Sequence, residues 1–294
     1  MQALIDQLVA GLSLGSVLLL AALGLALTFG QMGVINMAHG EFIMAGAYTA
    51  FVTQGVIADA GISLLLALPL GFLVGGVMGV VLEATLIHRM YHRPLDTLLA
   101  TWGVSLILQQ AARDIFGAPN VEVHAPSWLS GGIDIGVTQV PAARMFILVL
   151  AVAAVGALGL ALKATPMGRR IRGVVQNRDL AETVGISTRS TDRLTFFIGS
   201  GLAGVAGVAL TLLGSTGPTL GTNYIVDAFL VVVAGGIGQI KGAVIAAFGL
   251  GVLQAAFQYS TTASIAKVLV FLVIVVFLQI RPQGIFSVRT RSLA

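Results

Sequence analysis

The chain has no cysteine and few charged residues. Of its 294 residues, none is cysteine, and Asp, Glu, Lys and Arg together make up only 10%. The absence of cysteine excludes disulfides, thiolate metal sites and a cysteine nucleophile. Soluble domains carry about 25% charged residues, so a chain with so little charge and 57% hydrophobic residues is not a soluble globule. Its 37 glycines suit close helix packing and broken helices in lipid.

The few basic residues are clustered between apolar runs. A net charge of +4 could suggest nucleic-acid binding, but loops rich in Lys and Arg between spans are typical of the cytoplasmic side of a membrane protein. The basic stretches 88–93, 163–193 and 281–291, and with the last the C-terminus, are therefore predicted to be cytoplasmic. The loop 117–141 has no Lys or Arg and is predicted to lie outside. No basic n-region precedes the first apolar run, so we predict no cleavable signal.

Nine apolar segments are candidates for membrane spans, since a helix crosses a bilayer with about 20 residues. The region 225–258, interrupted by G-G-I-G-Q-I-K-G, is either two short spans or one re-entrant element. We therefore predict an all-α fold, a polytopic helical bundle of eight or nine spans with discontinuous helices, in a single transmembrane domain covering residues 1–294. The segments are 8–29, 34–54, 62–87, 97–116, 142–164, 194–214, 225–240, 242–258 and 262–281.

A short internal similarity accompanies this pattern. H-G-E-F-I-M-A-G-A from His39 can be aligned with K-G-A-V-I-A-A-F-G from Lys241, and each follows a glycine-containing interruption. Transporter halves often carry matched broken helices whose freed backbone groups line a cavity. The alternative is a chance match in a chain rich in glycine and alanine.

The densest polar patch in the apolar regions holds Asn36, His39 and Glu41. An ionisable group at membrane depth costs at least ~2.5 kcal/mol, so it usually faces a partner or water. On a helix, Asn36 and His39 share a face, and Glu41 lies about 140° round from Asn36. The patch indicates a solute path or gate. The alternative is a helix start, with Asn36 as N-cap and Glu41 complementing the helix dipole.

Other polar groups in the apolar segments stand singly. Gln109 and Gln110 are candidate path residues, or else make interhelical hydrogen bonds. Asp227 is a candidate external gate or an N-cap. Glu83 is predicted to pair with Arg89 or to reach the surface, and Lys267 is predicted to extend outward.

Enzymatic chemistry has little support in the sequence. His88 and His92 have i, i+4 spacing but lie in a basic loop, which repels a metal cation. No P-loop motif occurs, and the one G-x-S-x-G match, from Gly11, lies inside an apolar run without a preceding strand. An intramembrane enzyme would need paired catalytic groups at one depth, and only His39 with Glu41 is a candidate. We therefore predict no catalytic residue and no metal site.

The stretch 165–193 carries six arginines and is too long for a simple turn. Within it, N-R-D-L-A-E-T-V-G predicts a short helix that docks into a groove of a partner. The alternative is a loop that binds lipid head groups. Asn177 or Asp179 can cap the start of this helix, and Glu182 follows Asp179 by three residues. Gly185 can end the helix. Its apolar face is predicted to hold Leu180, Ala181 and Val184.

These motifs resemble the permease subunits of the branched-chain amino-acid class of ABC importers along essentially the whole chain. They are G-V-I-N-M-A-H-G-E-F-I-M-A-G-A-Y, T-P-M-G-R-R-I-R-G-V-V-Q-N-R-D-L-A-E-T-V-G-I, G-G-I-G-Q-I-K-G and R-P-Q-G-I-F. Within the class, T-W-G-V-S-L-I-L-Q-Q, F-G-A-P-N-V-E-V, P-S-W-L-S-G-G and Y-I-V-D are similar to the urea permease branch. Lys241 departs from the family pattern, which usually has an uncharged residue before this glycine.

The resemblance implies a permease subunit in the bacterial cytoplasmic membrane, with 177–185 as the coupling helix of a cytoplasmic coupling loop, 165–193. It implies three kinds of partner, a second related permease, two ATP-binding subunits and a periplasmic substrate-binding protein. It implies no cofactor in this chain, and nucleic acid is not a partner.

For the solute, a neutral, charge-poor path with Asn36, Gln109 and Gln110 favours urea. The alternatives are a branched-chain amino acid or a short-chain amide. A stand-alone small-solute channel is a further alternative, but it would leave the helix 177–185 without a purpose.

Overall fold

The computed structural model describes residues 2–91, 93–134 and 139–286. Within these ranges the chain forms eleven α-helices and one small antiparallel hairpin, in which β1 (Gly132–Asp134) pairs with β2 (Gln139–Pro141). The all-α prediction is confirmed. The helices are α1 (Gln2–Met32), α2 (His39–Val56), α3 (Ala60–Thr85), α4 (Pro94–Phe116), α5 (Ala142–Ala164), α6 (Pro166–Gln176), α7 (Arg178–Thr183), α8 (Thr188–Leu210), α9 (Leu220–Gly235), α10 (Ile240–Ser260) and α11 (Ala263–Ile280).

In the described part of the chain, a helix covers most of each of the nine predicted apolar segments. Six helices, α1, α3, α5, α8, α10 and α11, are long and apolar enough to cross a membrane. α9 is apolar but shorter, and α2 and α4, of 18 and 23 residues, carry more polar side chains. The predicted count of eight or nine spans is therefore approximate. The region 225–258 forms two helices, α9 and α10, joined by a turn in which Gly236 and Gly238 have φ of 101° and 79°.

Two helix starts differ from the hydropathy boundaries. α8 begins at Thr188, six residues before the predicted apolar segment, because Ser187 caps a polar first turn by accepting a hydrogen bond from the Ser190 amide at 3.3 Å. α2 begins at His39 rather than at residue 34, since residues 33–38 are not helical. Arg289 and Arg291 of the third basic stretch, and His92, lie outside the described residues.

The core is built around α1 and α8, the most buried of the long helices. α8 packs against α1, α2 and α3, and α1 also packs along α10. Backbone meets backbone where Gly204 of α8 contacts α2 and α3, so a Cβ on Gly204 would lie 2.0 Å from the Gly71 carbonyl oxygen. Small residues permit such close approach of helices in lipid. α3, α5 and α11 expose rows of aliphatic side chains instead.

Candidate translocation and coupling sites

Residues 33–38 form a non-helical break between α1 and α2, which we call the broken segment. Its buried Asn36 accepts a hydrogen bond from the Ala38 amide at 3.0 Å, and the Met37 amide donates to Thr101 Oγ1 of α4 at 3.0 Å. Asn36 is not the N-cap of α2, as one interpretation predicted. Ala38 occupies the cap position, and its side chain makes no capping hydrogen bond. Asn36 precedes the helix, so the predicted shared helical face with His39 is also wrong. Asn36 instead holds the turn that leads into α2.

His39 anchors the start of α2 to α1. The imidazole is fully buried, its Nε2 lies 3.2 Å from the Ala21 carbonyl oxygen, and its ring meets Phe42 edge-on at 6.2 Å. Gly24 of α1 is close enough that an added Cβ would lie 3.1 Å from the imidazole Cε1. These contacts favour a packing role for His39.

Glu41 joins three helices. Its buried Oε1 accepts hydrogen bonds from Ser105 Oγ at 2.8 Å and from Gln109 Nε2 at 3.0 Å, both on α4. Gln109 Nε2 also lies 3.0 Å from Thr222 Oγ1 on α9. We call Glu41, Ser105, Gln109 and Thr222 the polar cluster. It connects the first turns of α2 and α9 to the middle of α4.

The α4 half of this site is a buried polar stripe that the sequence reasoning missed. Thr97, Thr101, Ser105 and Gln109 follow one another at intervals of four, and all four are buried. The interval was the available signal, because residues four apart lie on one helix face. Gln110 does not join the site. It is exposed and donates to Asp114 at 2.9 Å.

α2 and α9 begin side by side at the polar cluster. A Cβ on Gly40 would lie 2.6 Å from the Gly221 carbonyl oxygen, and a Cβ on Gly221 would lie 2.2 Å from the Gly40 carbonyl oxygen. Only glycine permits this approach at both positions. The positive ends of two helix dipoles are thereby placed near one another.

An apolar cavity of about 430 Å³ opens one turn beyond the polar cluster, between α2, α3 and α4. Met44 and Ala45 follow Glu41 by three and four residues on α2, and Leu108 and Ala112 flank Gln109 on α4. The polar cluster and the cavity therefore occupy adjoining levels of the same gap between helices.

Asp227 lies in the third turn of α9, so its predicted N-cap role is wrong. Its carboxylate pairs with Lys267 Nζ of α11 at 2.9 Å. Lys267 therefore bridges two helices instead of only extending outward, and Asp227 is not part of the polar cluster.

The predicted short helix at 177–185 is present as α7. Asn177 caps it by accepting from the Leu180 amide at 2.9 Å, so of the two predicted caps Asn177 fills the position and Asp179 does not. At the other end Gly185 has φ of 83°, its amide donates to the Glu182 carbonyl at 3.0 Å, and the Ile186 amide donates to the Ala181 carbonyl at 2.9 Å. These two bonds form a Schellman motif, which ends the helix sharply.

The predicted apolar face of α7 is wrong for one residue. Ala181 is only 4% exposed because it packs inside this chain, whereas Leu180 and Val184 are 60% and 68% exposed. α7 packs against α6 and α8. The outward apolar surface of α7 therefore consists of Leu180 and Val184, while Glu182 accepts a hydrogen bond from Thr188 at the start of α8.

Arg178 ties α7 to the ends of two long helices. Its guanidinium pairs with the buried Asp192 of α8 and lies 4.7 Å from the centre of the Tyr91 ring. Gln31 at the end of α1 donates to Asp192 at 3.2 Å and accepts from Thr195. The short helix, α1 and α8 thus share one hydrogen-bonded network.

Glu83 extends this network to α3. It is fully buried, accepts from the Tyr91 hydroxyl at 2.9 Å and lies 3.4 Å from Arg193 Nε. The predicted pairing of Glu83 with Arg89, or its exposure at the surface, is therefore wrong, because the carboxylate is buried and its cationic neighbour is Arg193. Burial, together with the charges of Asp192 and Glu83, raises the pKa of the Tyr91 hydroxyl. Tyr91 consequently stays neutral and acts as a hydrogen-bond donor. Among the described residues, no group of three or more His, Cys, Asp or Glu is placed to hold a metal ion.

Comparisons with known proteins identify the family. The family described as "Branched-chain amino acid transport system / permease component" matches residues 7–278. The branched-chain amino acid permease protein LivH of Salmonella typhimurium is 29% identical, and the match covers 96% of this chain and 95% of LivH. BraD of Pseudomonas aeruginosa, another such permease protein, is 31% identical with the same coverage. The ribose import permease RbsC of Haemophilus influenzae is 34% identical over 125 residues, 39% of each chain. No solved structure matches. Because the match spans nearly the whole chain, the protein belongs to the family of branched-chain amino acid transport system permease components.

Proposed function

We propose that the chain is the membrane-spanning permease subunit of an ABC importer for branched-chain amino acids. The observation that carries this proposal is the family match over residues 7–278, supported by relatives named as branched-chain amino acid permeases. The subunit would sit in the bacterial cytoplasmic membrane with a second related permease, two ATP-binding subunits and a periplasmic substrate-binding protein. Subunits of this family bind no cofactor themselves, and ATP is bound by the partner ATPases.

The polar cluster supports a zwitterionic solute. Glu41 Oε2 and Asn36 Nδ2 are buried with no hydrogen-bond partner among the described residues. Buried polar atoms are nearly always satisfied, so these two atoms are available to a passing solute or to water. We assign Glu41 to the ammonium group, the paired starts of α2 and α9 to the carboxylate, and the apolar cavity beyond Glu41 to the aliphatic side chain.

Urea is the second candidate, because residues 101–110 and other motifs resemble the urea branch. A urea path needs amide and carbonyl partners without a fixed charge. The fully buried Glu41 carboxylate weakens that argument, and Gln110 lies outside the polar cluster. Gln109 remains the one amide of the predicted pair that fits either solute.

For energy coupling, we assign residues 165–193 to the cytoplasmic coupling loop and α7 to the helix that docks into an ATPase subunit. Leu180 and Val184 supply the exposed apolar contact. Arg178 and Asp192 then transmit movement of α7 to α1 and α8, since charged pairs in a network resist separation. Of the path candidates, Asn36, Glu41 and Gln109 are retained, while His39 is assigned to packing and Asp227 to an ion pair.

Uptake of labelled leucine and labelled urea by proteoliposomes separates the candidates. The purified complex of permeases and ATPases is reconstituted, and binding protein and ATP are supplied. We expect ATP-dependent leucine uptake at least ~10-fold above that of urea, a difference of about 1.4 kcal/mol. If the complex takes up urea but not leucine, the proposed substrate is wrong. Solute flux through this chain alone, without ATP, would instead support a stand-alone channel.

A further inference from the structure

A second cavity, of about 650 Å³, lies between the end of α1, the end of α5, helix α6 and the α9–α10 turn. It does not touch the polar cluster. On α1 and α10 its lining is aliphatic at Ala26, Leu27 and Ile240, and Gln31 and Gln239 add amide groups near the helix ends. Its α6 side carries Arg172 and Gln176. The cavity therefore has one apolar wall and one polar, cationic edge.

Arg172 is held at this edge by the end of α5. Its Nη1 donates to the Leu162 carbonyl at 2.7 Å, which uses one of the five N–H donors of the guanidinium. The side chain is exposed, and none of the four ion pairs found among the described residues includes it. Its charge and several donors therefore face an open, partly apolar space.

Further positive charge lies next in sequence to residues that line the cavity, and α6 itself has no acidic residue. Lys163 follows the lining residue Leu162, Lys241 follows Ile240, and both lysines are exposed. Lys241 is also the second residue of α10, where the helix dipole disfavours a cation. A bound anion would offset that unfavourable position. Arg169 and Arg170 add exposed charge on α6.

We propose that this cavity binds one anionic phospholipid, with its phosphate at Arg172 and Lys241 and an acyl chain against Leu27 and Ile240. The charge of the edge selects an anion, and the aliphatic walls select an anion that carries a hydrocarbon chain. α1, α5 and α10 are among the helices long enough to span a membrane, and their ends surround the cavity. Lipid is thus the amphiphilic anion that reaches this position directly. We call this second cavity the lipid cavity.

Native mass spectrometry of the delipidated, assembled complex tests the proposal. The complex is titrated separately with palmitoyl-oleoyl phosphatidylglycerol and with palmitoyl-oleoyl phosphatidylcholine, and the two binding affinities are compared. We expect the phosphatidylglycerol to bind at least ~10-fold more tightly, because each cation near the head group favours an anionic lipid. Replacing both Arg172→Gln and Lys241→Gln should abolish the preference. The matched control is Arg189→Gln, an exposed arginine of the same basic stretch that does not line the cavity.

A filling substitution separates the lipid from a simple anion. Val175→Trp occupies the cavity without altering its charge, since Val175 lines it and is half-exposed. It should reduce phosphatidylglycerol binding at least ~10-fold, and Ile237→Trp serves the same purpose if the first variant lowers the thermal midpoint of the complex.

Three results would overturn the proposal. In the first, phosphatidylglycerol and phosphatidylcholine bind equally to the wild type, or the charge-loss variant keeps the preference. In the second, inorganic phosphate displaces the lipid and the filling variants have no effect, which would indicate a free-anion site. In the third, the variants release the ATP-binding subunits while lipid binding is unchanged, which would make this surface a protein interface.

Discussion

At the scale of single residues, Glu41 is the side chain that most directly tests the proposed substrate. Glu41→Gln keeps an oxygen for Ser105 but removes the carboxylate that we assign to the ammonium group. Hydrogen bonds to charged groups contribute about 1.5–3 kcal/mol, so leucine uptake should fall by roughly 10- to 100-fold. Initial uptake rates in proteoliposomes measure the effect.

The matched control is Ser105→Ala, which removes one of the two hydrogen bonds that Glu41 Oε1 accepts and leaves the carboxylate charge in place. It should reduce uptake less than Glu41→Gln does, because Gln109 still donates to the same oxygen and the charge assigned to the ammonium group remains. If Glu41→Gln transports leucine as well as the wild type does, the carboxylate does not bind the ammonium group. The polar cluster would then only hold α2, α4 and α9 together.

The exposed residues of α7 provide a second test. Replacing Leu180→Ala and Val184→Ala removes apolar surface that this chain does not cover. The thermal midpoint of the permease should not change, but co-purification of the ATP-binding subunits should fall at least tenfold, since anchor residues of an interface contribute 2 kcal/mol or more. Arg189→Ala is the control, because an exposed charge contributes ~0–1 kcal/mol.

The opposite outcome has a clear meaning. If Arg189→Ala releases the ATPase and the double alanine variant does not, α7 binds through charge rather than through an apolar face. Ala181 is unsuitable for this test despite its position between the two, because it is buried within the chain and its replacement would disturb α7 itself.

At the scale of secondary-structure elements, the paired starts of α2 and α9 depend on glycine. Gly40→Ala would place a methyl group 2.6 Å from the Gly221 carbonyl oxygen, so one helix must move. Such overpacking typically costs ~1–3 kcal/mol, and the thermal midpoint of the purified complex should fall. Gly249→Ala in α10 is the control, because no atom lies within 4 Å of the added Cβ. It should leave the midpoint unchanged or raise it. Equal midpoints for both variants would show that α2 and α9 can separate freely.

The link between α7 and the long helices is tested by a double-mutant cycle. Asp192→Asn and Arg178→Gln each break the same ion pair, so their effects should be less than additive by about 0.5–3 kcal/mol. If the pair transmits movement, either variant should also lower the stimulation of ATP hydrolysis by substrate while the ATPase stays bound. Unchanged stimulation with a lowered thermal midpoint would limit the pair to a structural role.

What the sequence could predict follows from how local each signal is. The nine apolar helices and both ends of α7 were predictable, because span length, the Asn177 cap and the Gly185 stop depend on neighbouring residues only. The burial of Ala181 and the ion pair between Asp227 and Lys267 could not be predicted, because each depends on which helix packs against that residue. The same holds for Glu41, whose partners lie 64 and 68 residues away.

At the scale of the whole molecule, the pattern of basic residues predicts a topology that the fold makes testable. α6, α7 and their arginines lie together at one end of α5 and α8, and the hairpin near Ser127 lies at the other end of α5. If the positive-inside rule applies, the first end is cytoplasmic and the second is external. The orientation of all the long helices follows from this single assignment.

Labelling of introduced cysteines tests this topology, and because the chain has no native cysteine, only the introduced thiol can react. Ser187→Cys and Ser127→Cys place single thiols at exposed positions before α8 and in the predicted external loop. A membrane-impermeant maleimide added to intact cells should modify the thiol at position 127 and spare the one at position 187, which should react only after the membrane is opened. The opposite labelling pattern would reverse the topology. It would place α7 outside the cell, where no ATP-binding subunit could dock, and the proposed coupling would fail together with the orientation.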